Sequence, residues 1–122
     1  MSLASVRSAI ASGLAGIAGL RVHDHVPDAL NEFPAVAVRL WGANYTDSTY
    51  TFRLLLVVSG WDAGAAELAL DPFLEKAGAS SIAARLTADP ACVTVSAGPV
   101  GRQLVNGTPY MGVEITVVAC DV

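Results

Sequence analysis

Two stretches of this sequence alternate apolar with other side chains, and this period of two constrains the fold more than any other feature. In residues 34–41 the alternation places Val36, Val38 and Leu40 on one side. Residues 49–61 form the longest such run, with five large residues on one side: Tyr50, Phe52, Leu54, Leu56 and Val58. Period two lines one face of a β-strand, so both stretches are predicted strands. The polar stretch 42–48 between them predicts a hairpin with a protruding tip.

The last part of the chain predicts a second pair of strands, at residues 92–97 and 110–120. Between them, Asn106-Gly107 is the strongest signal for a two-residue hairpin turn, because both central positions of that turn need positive φ. A tight turn there sets Val105 opposite Thr108 and Val95 opposite Val118, which moves Val95 off the core face. A slip of one residue restores it. The stretch Gly-Pro-Val-Gly at 98–101 is therefore the predicted bulge or bend.

Helical spacing marks the beginning of the chain. Apolar residues recur there at steps of three and four, at Leu3, Val6, Ile10, Leu14 and Ile17. This spacing predicts an amphipathic helix that is capped by Ser2 and ends near Gly19. Residues 20–26 then predict a short strand, which the proline and polar residues that follow would end.

A second helical segment is predicted over residues 62–88. Asp62 or Gly64 is the expected cap, and the expected buried stripe consists of Leu68, Leu70, Phe73 and Leu74. Pro72 predicts a kink or a helix that begins near it, because proline cannot donate to the helical hydrogen-bond ladder. The stretch 78–81 is expected to interrupt this segment, and Asp89-Pro90 to end it.

These elements predict one α+β domain over residues 1–122. Its expected order is α-β-β-β-α-β-β, with a mainly antiparallel sheet of about five strands and both helical segments on one face. Hydrophobic residues make up 53% of the chain and charged residues 15%, against about 25% charged in typical soluble domains. Such a surface is charge-poor, which suggests that other subunits cover part of it. The alternative is an alanine-rich composition without meaning for assembly.

The charge balance bears on possible partners. The net charge is −4, and no stretch concentrates Lys or Arg as phosphate binding requires, so tight nucleic-acid binding is not expected. No apolar run is long enough to span a membrane. Residues 1–20 resemble a weak signal peptide, but the amphipathic helix explains them better. Cys92 and Cys120 lie in apolar, β-branched runs and are interpreted as packed residues that need no oxidising compartment.

His23, Asp24 and His25 form the only compact cluster of metal-ligand side chains in the sequence. Two histidines two residues apart on a strand share a face and could bind a metal if a third ligand arrived from elsewhere. Two exposed polar side chains at a strand end are the better interpretation. Cys92 with either histidine could form a catalytic dyad, but a packed strand residue is the better interpretation of Cys92. No catalytic, cofactor-binding or metal-binding residue is therefore assigned.

The second sheet face is more informative than these clusters, because its mixed side chains suit neither a solvated face nor a second buried core. Opposite the expected core, Arg39 and Trp41 lie on one strand, Arg53 on the next and Glu114 on the last. Because Trp and Arg are enriched at protein interfaces, these four residues are the predicted subunit contacts. An exposed sheet face with an Arg53–Glu114 cross-strand pair is the alternative. Three further residues near the loop tips are candidate contacts, with ordinary solvated loops as the alternative: Tyr45, Tyr50 and Arg102.

Several short motifs resemble a known family. They are VRSAI at 6–10, GLRV at 19–22, VPD at 26–28, PAV at 34–36 and the closing VNGTPYMGVE at 105–114. With the chain's size and element order, they resemble the tail terminator proteins of long-tailed phages that infect actinobacteria. The motifs are short, and no functional residue is carried over from the family.

The resemblance implies a non-enzymatic virion protein without a cofactor. It would form a homo-oligomeric ring, usually a hexamer, on the last ring of tail-tube protein, stop tube polymerisation and offer a surface to the head-tail connector. An acidic ring would let DNA slide through without sticking. Two alternatives stay open. One is a head-tail connector or neck protein, and the other is a small oligomeric binding domain of cellular origin. A small ligand-binding or metal-binding α+β domain centred on His23 and His25 is a further candidate.

Overall fold

The last strand of the chain organises the sheet, because three other strands pair with it. The computed structural model describes residues 3–27, 30, 32–60, 62–87, 93–105 and 107–120. In chain order the elements are α1 (Leu3–Ala15), β1 (Arg21–His23), β2 (Ala35–Asn44), β3 (Thr49–Val58), α2 (Ala63–Leu74), α3 (Ile82–Thr87), β4 (Val93–Ala97), β5 (Gly101–Val105) and β6 (Thr108–Cys120). Predictions made for Ser2, for the turn at Asn106, for the helix end at Asp89-Pro90 and for Cys92 fall outside the described residues.

The fold is α+β, as predicted, with a sheet of six strands rather than about five. The strand order is β1-β2-β3-β6-β4, and β5 also pairs with β6. β1 runs parallel to β2, and the other pairs are antiparallel. β1 covers only Arg21–His23, so the predicted strand over residues 20–26 is shorter than expected.

β4 and β5 both pair with the same edge of β6, one after the other. β5 keeps the register of a tight turn, with Val105 opposite Thr108 and Gly101 opposite Gly112. β4 is displaced by one residue, so that Val95 lies opposite Val117 rather than Val118. The irregular segment between them keeps one ladder bond, from the Gly98 amide to the Glu114 carbonyl at 3.0 Å. The predicted bend at residues 98–101 is confirmed.

β2 and β3 form the predicted hairpin, and it contains a bulge. Leu40 pairs with Phe52 and Gly42 pairs with Thr51, so Trp41 is an extra residue without a partner across the ladder. β2 extends to Asn44, beyond the predicted end at Trp41. The Asn44 side chain accepts hydrogen bonds from the Thr46 and Asp47 amides, which closes the turn.

The main core lies between one sheet face and the helices. From α1 and the turn after it, Val6, Ile10, Leu14 and Ile17 are buried, as the helical spacing predicted. From the sheet it takes alternate residues of the central strands: Val36, Val38, Phe52, Leu54, Leu56, Val113, Ile115 and Val117. The first five of them are residues that period two places on the core side of the two predicted hairpin strands.

α2 follows the prediction in part. Asp62 caps it, accepting a hydrogen bond from the Gly64 amide at 3.0 Å. The helix runs through Pro72 to Leu74, so no helix begins at that proline. Leu70 and Phe73 are buried, but Leu68 is 74% exposed and does not belong to the buried stripe. Within the described residues, none of the helices is both long and apolar enough to cross a membrane.

A second, smaller core covers part of the other sheet face. It contains Leu30, Ala35, Leu55, Val57 and Val105, with Val26, Phe33 and Tyr110 packed around it. The Tyr110 hydroxyl accepts a hydrogen bond from the Leu30 amide at 3.2 Å, which fastens the segment before β2 onto the sheet. The expectation that this face holds no core of its own is therefore wrong for this half, because the chain's own loop covers Leu55 and Val57.

Candidate functional site

The other half of that face has no covering segment among the described residues, and we call it the open sheet face. It consists of Arg39, Trp41, Thr51, Arg53, Thr94, Ser96, Glu114, Thr116 and Val118, all exposed or half-buried. They lie on one side because the register sets Arg39 opposite Arg53, Arg53 opposite Thr116 and Thr51 opposite Val118. Three of these nine side chains are charged: Arg39, Arg53 and Glu114.

All four predicted subunit contacts lie together on this face. The Arg53 guanidinium carbon lies 3.7 Å from the centre of the Trp41 ring, and the Arg39 guanidinium carbon lies 5.4 Å from it. Arg53 Nη1 also forms an ion pair with Glu114 Oε1 at 2.5 Å. The structure thus brings Arg39, Trp41, Arg53 and Glu114 into one connected cluster, which confirms the Arg53–Glu114 pair. Their contact with another subunit stays a prediction.

The bulge explains why a tryptophan can stay outside the core here. A bulged strand places an extra residue on one side of the sheet and re-aims its side chain. Trp41 is that residue, and it is 51% exposed although its ring rests against Arg53. A cation against an aromatic face is attracted by the ring quadrupole, so the two arginines orient the indole while leaving half of it accessible.

The electrostatics of the cluster are unbalanced in favour of positive charge. Arg39 and Arg53 are directly opposite each other across the β2–β3 ladder, an arrangement of like charges that costs stability. Glu114 neutralises one of them. Among the described residues, Arg39 has no carboxylate partner, and the buried Nε of Arg53 has no hydrogen-bond acceptor. The cluster is therefore an aromatic surface with a surplus cation on an acidic protein.

The predicted contact loops have different surroundings. Tyr45 is 84% exposed, in the turn between β2 and β3. Tyr50 lies within β3 and packs half-buried against the main core, away from the open sheet face. Arg102 is exposed on β5. Tyr45 offers more side-chain surface to a partner than Tyr50 does, and all three assignments stay predictions.

The histidine cluster lies on the helical side, at an open cleft of about 480 Å³ between α1 and β1. Ser8, Ser12, His23, Asp24 and His25 belong to its lining. β1 ends at His23, so the two histidines do not share one strand face as predicted. His25 Nδ1 donates a hydrogen bond to Asp24 Oδ1 at 2.7 Å, which holds the pKa of the Asp24 carboxyl below its ordinary value. The described residues include no group of three or more side chains that could hold a metal ion.

One exposed surface was missed by the sequence reasoning. Leu68 was assigned to the core, yet it stands on the outer side of α2 among acidic residues. The signal that could have revealed this is the i, i+4 spacing of Glu67, Asp71 and Glu75, which defines the solvent side of the helix. Leu68 lies next to Glu67 and three residues before Asp71, so it shares that side.

No protein-family model matches this chain, and the search of curated proteins finds no similar protein.

Proposed function

We propose that this chain is a non-enzymatic structural protein of a long-tailed phage, in the role of a tail terminator. It would assemble as a homo-oligomeric, hexameric ring on the end of the tail tube, stop tube polymerisation and provide the surface to which the head-tail connector joins. Its place would then be the virion, reached by assembly in the host cytoplasm. The partners are other copies of the chain, the tail-tube protein and the connector protein.

The observation that carries this proposal is the exposed Trp41 on the open sheet face. A large aromatic ring that is 51% exposed, flanked by Arg39 and Arg53, has the composition of an interface core. The surrounding Thr51, Thr116 and Val118 carry no charge, so covering them costs less desolvation than covering ionised side chains would. A subunit contact is therefore the best use of this surface.

The particular role rests on the resemblance to tail terminators. The α+β fold, with an N-terminal helix, three strands, a central helical region and further strands, is compatible with it. The motif at 105–114 belongs to the β5–β6 hairpin, whose Tyr110 fastens the segment before β2. Two further motifs of the resemblance, at residues 26–28 and 34–36, lie on either side of Leu30 in the sequence.

The charge of the chain suits a ring through which DNA passes. At −4, with seven basic residues in all, the chain offers few contacts to phosphate. Each Lys or Arg contact to phosphate adds affinity through counterion release, so a lumen without them lets the duplex slide. No tight nucleic-acid binding is proposed.

The test is tube assembly. Tail-tube protein from the same phage is polymerised with and without this chain, and the tubes are imaged by electron microscopy. We expect tubes of limited length that carry a ring of extra density at one end, and light scattering of the chain at high concentration should give a mass near that of a hexamer. Trp41→Ala is the matched variant, which should fold but cap tubes poorly.

Three outcomes would contradict the proposal. Tubes that grow to the same lengths and bind none of the chain would argue against a terminator. Binding to isolated head connectors without any effect on tubes would favour the alternative role of a neck protein. A chain that is strictly dimeric and binds neither particle would point to a cellular binding domain instead.

A further inference from the structure

The outer side of α2 carries a surface that complements the arginine cluster. Glu67, Asp71 and Glu75 follow one another at steps of four, and the exposed Leu68 lies between the first two. All four residues are on the solvent side, since Ala66, Leu70 and Phe73 take the buried side. We call Glu67, Leu68, Asp71 and Glu75 the α2 stripe. It joins three carboxylates to one large apolar side chain.

This charge pattern is unfavourable within the chain itself. Like charges at i and i+4 destabilise a helix, and the stripe contains two such pairs, Glu67 with Asp71 and Asp71 with Glu75. Asp71 lies in the last turn and Glu75 is the C-cap, where the helix dipole favours cations. α2 has no basic residue in its last turn. Lys76 follows the helix, but within the described part of the chain it forms no ion pair with the stripe. Positive charge from outside would relieve this repulsion.

The α2 stripe and the open sheet face point in opposite directions. α2 packs on the main core through Leu70 and Phe73, on one side of the sheet. Arg39, Trp41 and Arg53 lie on the other side of the same sheet. A chain cannot bring its own two surfaces together, and each surface repels a copy of itself through its like charges.

We propose that the α2 stripe of one subunit docks on the open sheet face of the next subunit, head to tail. The carboxylates of Asp71 and Glu67 would pair with the guanidinium groups of Arg39 and Arg53. Leu68 would pack against the Trp41 ring. Two different complementary patches on one molecule form a heterologous interface, which closes into a ring when the rotation permits. This pairing rests on the proposed ring function and identifies the two surfaces that build it.

Charge reversal on each side tests the pairing. We expect Arg39→Glu and Asp71→Arg, each alone, to weaken association about tenfold or more in sedimentation velocity at low ionic strength, because each turns an attraction into a repulsion. The double variant Arg39→Glu/Asp71→Arg should recover assembly, since every junction then pairs a carboxylate at position 39 with a guanidinium at position 71. If instead each surface paired with the same surface of another copy, the double variant would assemble less well than either single variant. That result would overturn the head-to-tail pairing.

The single variants should keep or raise the melting temperature of the monomer, which separates assembly from folding. Arg39→Glu places a carboxylate opposite Arg53, and Asp71→Arg places a cation in the last turn of α2. Two variants with the same charge changes elsewhere serve as controls, Arg85→Glu on α3 and Glu32→Arg before β2. These controls should assemble like the wild-type chain.

All assembly measurements are made on the chain alone and on the chain added to tail tubes. Suppose that the wild-type chain forms rings. Single variants that assemble equally well would then overturn the pairing but not the proposed function, and so would a double variant that stays impaired. A wild-type chain that forms no ring in either setting would overturn both. Restored capping of tubes by the double variant is the result that supports the pairing most directly.

Discussion

The guanidinium carbon of Arg53 lies 3.7 Å above the centre of the Trp41 ring, while the same guanidinium is bound to Glu114. Arg53 is therefore held in place by Glu114 of β6, and its guanidinium in turn packs against one face of the indole. An aromatic side chain that is oriented before binding loses little conformational entropy when a partner covers it. This arrangement suits Trp41 to act as an anchor for a second protein.

Replacing Trp41 by alanine should impair assembly far more than folding. The ring is half exposed and outside both cores, so its loss removes the cation–π contact, worth about 0.5–1 kcal/mol at an exposed site. Urea denaturation should show a loss of that size in the free energy of unfolding. Light scattering should show loss of the oligomer.

Phe52→Ala is the contrasting variant, because Phe52 is fully buried in the neighbouring strand. It should lose about 3–5 kcal/mol of unfolding free energy. A Trp41→Ala chain as unstable as Phe52→Ala would show that Trp41 belongs to the core and would contradict its assignment to the contact surface.

The Arg53–Glu114 pair should contribute measurably to stability, unlike an ordinary surface ion pair. Both side chains are about one-third exposed, and the Nε of Arg53 is buried. A double-mutant cycle with Arg53→Met and Glu114→Gln should give a coupling energy of about 1 kcal/mol, at the upper end for partly exposed pairs. The Arg21–Glu32 pair, which is far more exposed, is the control and should give less. Equal coupling energies for the two pairs would refute the role of burial.

Period two in the sequence was sufficient to assign the main core and even one register shift. Val95 could be recognised as a core residue out of step with a tight Asn106-Gly107 turn, and the one-residue displacement of β4 resolves that conflict. The pattern could not show which parts of the second face are covered. Leu55 and Val57 are buried by a loop more than twenty residues earlier in the chain, and alternation alone carries no information on such distant contacts.

Alternation also predicted which side of the sheet the candidate site lies on, but not the contacts within the site. Alternation placed Arg39, Trp41 and Arg53 on the side away from the core, where they are found together. The sequence around Trp41 contains no signal strong enough to predict the bulge there. The prediction for Leu68 is wrong because an apolar residue next to a helical stripe need not belong to it, and the acidic spacing around Leu68 indicates the solvent side.

The Asp24 carboxyl should titrate below its ordinary pKa of 3.8, because the His25 ring donates a hydrogen bond to it. A folded-state pKa below the unfolded value adds stability above the unfolded pKa, and that contribution is lost as the pH falls through the folded pKa. The effect therefore belongs to the acid range below about pH 3.8. NMR titration of the Asp24 side-chain carboxyl carbon measures it directly.

His25→Ala should return the Asp24 pKa toward its ordinary value, whereas His23→Ala should leave it nearly unchanged, since the hydrogen bond comes from His25. An Asp24 pKa that is insensitive to His25→Ala would mean that the carboxyl is governed by another neighbour, with Arg7 the next group to replace.

Gly112 should tolerate no side chain, because a Cβ there would run into the backbone of β3. A Cβ there would overlap the Leu56 carbonyl oxygen and stand 2.9 Å from the Val57 Cα, both of them backbone atoms that cannot turn aside. Gly112→Ala should therefore lose about 3 kcal/mol or more of unfolding free energy, at or above the usual range for overpacking.

Gly42→Ala is the matched control, since nothing lies within 4 Å of its Cβ. By restricting the unfolded chain it should be neutral or gain up to about 1 kcal/mol. Urea denaturation of the two variants side by side decides the matter, and a Gly112→Ala chain as stable as Gly42→Ala would contradict the β3–β6 register on which the open sheet face depends.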